Sequence, residues 1–146
     1  MGRWLLTASV ITLLAGCAGE AGPERTFAGG TYEKNLGIAL VLDRVEIDST
    51  EAQAFIMVRN PSARKLLFDP SAATLVVDGD EYPSEASTDY SGLVVDVGSG
   101  GGQSSGALVF PDVPTDGTEY RLHLEAESEN TTIGDNGSLT WDVALK

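Results

Sequence analysis

The sequence predicts an all-β fold, an antiparallel sandwich of about seven to nine short strands. Three observations carry this. Apolar residues alternate with polar ones in stretch after stretch of the second half of the chain and much of the first, as a half-buried strand requires. Turn-forming clusters interrupt these stretches at short intervals. After the first 16 residues no segment sustains the 3.6-residue period of an amphipathic helix.

The first strand-like run is Ile38, Leu40 and Leu42, alternating with Ala39, Val41 and Asp43. Val45 and Ile47 resume the alternation one residue out of phase, which predicts a β-bulge at Asp43-Arg44. Asp48-Ser49-Thr50 reads as a turn back into a strand over Ala52 to Asn60, which Pro61 stops because proline cannot donate to the ladder. Leu66-Leu67-Phe68 is a short strand ended by Asp69-Pro70. Asp78-Gly79 separates Thr74–Val77 from Glu81-Tyr82, a strong hairpin signal. Ser84 to Gly92 is polar, with room for one helical turn at Ser87 to Ser91. Leu93 to Val97 reads as a further strand, followed by the glycine-rich stretch Gly98 to Gly102. Gly106 to Phe110, the clean alternation of Tyr120, Leu122 and Leu124, and Leu139, Trp141 and Val143 complete the set.

The start of the chain has a different character. Arg3 precedes an apolar run, Trp4 to Leu14, that ends in Leu14-Ala15-Gly16-Cys17. A basic start, a short apolar body and small residues before the cut describe a secretory signal over residues 1–16. The run is well short of the ~20 residues that a spanning helix needs. Leu-Ala-Gly-Cys resembles the lipobox of prokaryotic lipoproteins. That resemblance implies lipidation of Cys17, the sole cysteine, and cleavage to leave it first. Residues 17–33 are small and polar, with Gly19, Gly22, Pro23, Gly29 and Gly30, and read as a flexible tether. The globular domain is then expected over residues 34–146.

Composition narrows the function. The chain carries 22 acidic against 9 basic residues, a net charge of −13 and a pI near 4.2. Phosphate backbones would be repelled, so nucleic-acid binding is excluded, and a polybasic membrane contact is disfavoured on the same ground. The acidity fits either a high-salt habitat or an ordinary acidic envelope protein. At 42 % apolar residues the composition is that of a globular domain.

A family resemblance emerges from three segments: Phe55-Ile56-Met57-Val58-Arg59-Asn60, then Leu75 to Tyr82 with its Asp-Gly turn, then Gly102 to Pro114. Together they resemble the immunoglobulin-like domain of small exported bacterial and archaeal proteins of the DUF4352 or telokin-like group, over roughly Leu36 to Val143. The resemblance implies an immunoglobulin-like sandwich in which Gly106 allows close strand approach and Phe110 plugs the core. It transfers no catalytic residue.

The residue types that carry chemistry are sparse. A blue-copper site needs two histidines and a cysteine thiolate. His123 is the sole histidine and sits opposite the apolar face of its strand, as a surface residue. Ser104 and Ser105 adjoin the glycine-rich stretch but lack the Gly-x-Ser-x-Gly elbow of a hydrolase. Asp78, Asp80 and Glu81 are weak candidates for a divalent cation, without the spacing of a calcium loop. Asn130 and Asn136 head usable glycosylation sequons.

The expectation is a domain held by lipid at Cys17 on the extracytoplasmic face of a cell membrane. It would be non-enzymatic, without a cofactor, and would serve the envelope as a structural module or by binding a protein. Gly98–Gln103 and Asp78–Glu81 are the expected contact loops. The alternative is a lipoprotein that binds a small ligand or divalent cation, serving a transporter.

Overall fold

Burial alternates along the strands as the sequence predicts: in Ser138–Ala144 every second residue, Leu139, Trp141 and Val143, turns inward. The computed structural model of the protein describes residues 22–85, 96–97, 100–128 and 138–146. Among these are ten strands: β1 (Arg25–Glu33), β2 (Ala39–Ile47), β3 (Glu51–Asn60), β4 (Leu66–Phe68), β5 (Thr74–Val77), β6 (Asp80–Pro83), β7 (Asp96–Val97), β8 (Gly102–Pro111), β9 (Tyr120–Ser128) and β10 (Ser138–Ala144). All pairings are antiparallel.

One sheet has the order β1-β2-β3-β8. The other is built on β9. Strand β10 pairs with it from Ser138↔Glu127 to Ala144↔Arg121. On the opposite edge β4 takes Ala126 to Ser128 and β5 takes Tyr120 to His123. β4 and β5 thus share a single strand position, broken by the 3-10 turn Pro70–Ala72 that the Asp69 side chain caps. β7 and β6 continue the sheet beyond them. The inner faces meet in one core that includes Leu40, Ile47, Phe68, Leu108, Phe110 and Trp141. The fold is an immunoglobulin-like, all-β sandwich.

The predicted bulge is present. Leu42 pairs with Ile56 and Arg44 with Phe55, so Asp43 is the extra residue, and the shift keeps both Leu42 and Val45 inward. Its other side explains a glycine. Gly29 of β1 lies opposite the bulge, where a Cβ would overlap the carbonyl oxygens of Leu42 and Asp43.

This corrects the expected tether at 17–33. Residues 25–33 are β1, paired with β2 from Arg25↔Ile47 to Glu33↔Ala39, and Phe27 is buried in the core. The domain therefore starts before residue 34. The alternation was illegible because β1 is an edge strand with one large core residue, and because Gly29 serves close approach rather than flexibility. The seam between the sheets is stapled beside this strand, where the Trp141 indole donates to the Tyr32 carbonyl at 3.0 Å.

The first residue of β1 is also locked. The Arg25 guanidinium donates to the carbonyls of Gly117 (2.6 Å) and Thr115 (3.3 Å) and lies over the rings of Phe27 and Tyr120. Tyr120 opens β9 and is buried. Its hydroxyl donates to the Pro114 carbonyl at 2.7 Å and accepts from the Gly117 amide at 2.9 Å. This is the tyrosine corner of Greek-key sandwiches. The signal for it, Gly117 three residues ahead of a strand-opening tyrosine, lay in the sequence unread.

Candidate functional site

The expected contact segments lie at opposite ends of the sandwich. At the end where β1 begins, Asp78 (φ 52°) and Gly79 (φ 94°) form the two-residue hairpin turn between β5 and β6. Both central residues have positive φ, as a type I′ turn demands. The Asp78 carboxylate accepts from the backbone amides of Thr118 and Glu119, the shortest bond being 2.8 Å. Those amide bonds, Thr118 first, hold its pKa below the ordinary carboxylate value. Asp78 is thus committed to a turn, while Asp80 and Glu81 point to solvent. Among the described residues no three His, Cys, Asp or Glu side chains converge to hold a metal.

The hydrolase candidates are kept apart. Ser104 is buried in β8 of one sheet, whereas half-exposed His123 is in β9 of the other, 3.1 Å from Glu125 Oε1. Cys17, Asn130, Asn136, Gly98 and Ser99 lie outside the described residues.

Two surface features stand out that alternation alone does not reveal. The first is a shallow trough of about 450 Å³ across the outer face of β2, β3 and β8. Val41, Phe55, Met57, Gly106 and Ala107 are among the residues that line it. At its rim the Arg44 guanidinium lies 3.9 Å from the centre of the Phe55 ring. Its charge is answered by Glu46 at 2.7 Å and by Asp43, and these bonds push its pKa further up.

The second feature is the end of the sandwich where β1 finishes. Here Leu36 adopts φ 62° and is 56 % exposed. A left-handed backbone costs a leucine roughly 1–2 kcal/mol. Gly37 (φ 74°) follows, packed near Pro61. The next loop is held by its own hydrogen bonds. Asn60 is fully buried, donates to the Arg64 carbonyl at 2.5 Å, and accepts from the Ser62 amide and hydroxyl. The predicted glycine turn docks onto it, with the Gly100 amide donating to the Ser62 carbonyl at 2.7 Å and Gly101 to the Asn60 carbonyl at 3.0 Å. Gln103, expected in the same loop, lies in β8. Lys34, Arg59, Arg64 and Lys65 belong to this end, four of the chain's nine basic residues. The sequence signal was a lone leucine between Asn35 and Gly37, out of register with any strand.

The fold and its surfaces define an immunoglobulin-like β-sandwich domain. No protein-family model matches the chain, and no curated protein matches it. Among solved structures, the crystal structure of a functionally unknown protein from Listeria monocytogenes EGD-e is similar. It superimposes with a TM-score of 0.62 at 6 % identity, over 87 % of this chain and 87 % of that one. The likeness is one of fold.

Proposed function

We propose that this protein is a lipid-anchored, extracytoplasmic module of the cell envelope, a DUF4352- or telokin-like lipoprotein that works by binding a protein partner and not by catalysis. The observation that carries the reading is how the chain enters the fold. Arg25, where β1 begins, is clamped to the corner at Thr115–Gly117 and is eight residues from Cys17. Fully extended, that link reaches about 27 Å. A lipid on Cys17 would therefore keep the domain close to the bilayer.

The test is Cys17→Ser. The unsubstituted protein is expected in the membrane fraction, with a mature mass matching a chain that starts at a diacylglyceryl-cysteine. The variant is expected to leave that fraction and lose the lipid mass. An unprocessed Met1 terminus on a cytosolic protein would overturn the reading.

A further inference from the structure

We draw no further inference here: the strongest candidate, the apolar trough across the outer face of β2, β3 and β8, is an unpartnered sheet face whose one cation, Arg44, is already answered by Asp43 and Glu46, and nothing in the structure shows what covers it.

Discussion

Tyr120 does at one position what a disulfide does in many exported sandwiches: it ties the connection between two strands to the core. Its ring is buried against Phe27 at a centroid distance of 4.8 Å, and its hydroxyl holds both Pro114 and Gly117. Removing the hydroxyl takes away the partner of a half-buried carbonyl and a half-buried amide, at a cost of about 1 kcal/mol. Tyr120→Phe is accordingly expected to lower the urea midpoint without altering the slope. Gly117 is part of the same device, since a Cβ there would collide with Val77 and the Tyr120 hydroxyl. Asp78 acts a step further out and links stability to pH. Backbone amides of Thr118 and then Glu119 lower its pKa, and those of Thr50, with its hydroxyl, and Glu51 lower that of Asp48. A carboxylate whose folded pKa is depressed contributes stability that is fully present above its unfolded value, about 3.9, and is lost as pH falls through the folded value. The difference in stability between the parent and Asp78→Asn should therefore be constant near neutrality and shrink below about pH 4. Urea titrations at a series of pH values measure it.

Among the elements, β1 departs most from what its sequence suggests. Arg-Thr-Phe-Ala-Gly-Gly-Thr-Tyr-Glu contains two adjacent glycines and one fully apolar large residue, so it scores as linker on composition. In the fold it completes the first sheet, covers the core with Phe27, receives the Trp141 indole and clamps the corner with Arg25. A fragment starting at Lys34 would lack all of these. It is expected to fail to unfold cooperatively in circular dichroism, whereas a fragment starting at Glu24 should melt in a single transition. Gly29 and the bulge at Asp43 explain each other: the extra residue drives two carbonyls toward the neighbouring strand, and that strand answers with the residue that has no side chain. β4 and β5 illustrate a different economy. Neither is long enough to flank β9 alone, but separated by the capped turn at Pro70 they cover most of its edge.

At the scale of the whole molecule, a net charge of −13 is an average over a surface that carries both signs. Folded, the chain brings Lys34, Arg59, Arg64 and Lys65 to one end, together with Glu33 and Glu127, because antiparallel strands bring alternate connections to the same pole. Alternation, the bulge, the Asp-Gly hairpin and the burial of Phe110 were all legible in the sequence. Each is set by residues within a few positions of one another. The sandwich follows from them because two faces of alternating apolar side chains must cover each other. Contacts between distant residues were another matter. That Arg25 would meet Gly117, that Gly29 would need to be a glycine, and that Leu36 would stand exposed beside the Asn60 loop depend on strand order and register. Strand order is decided by how all the strands pack at once, and no local window of sequence contains that information.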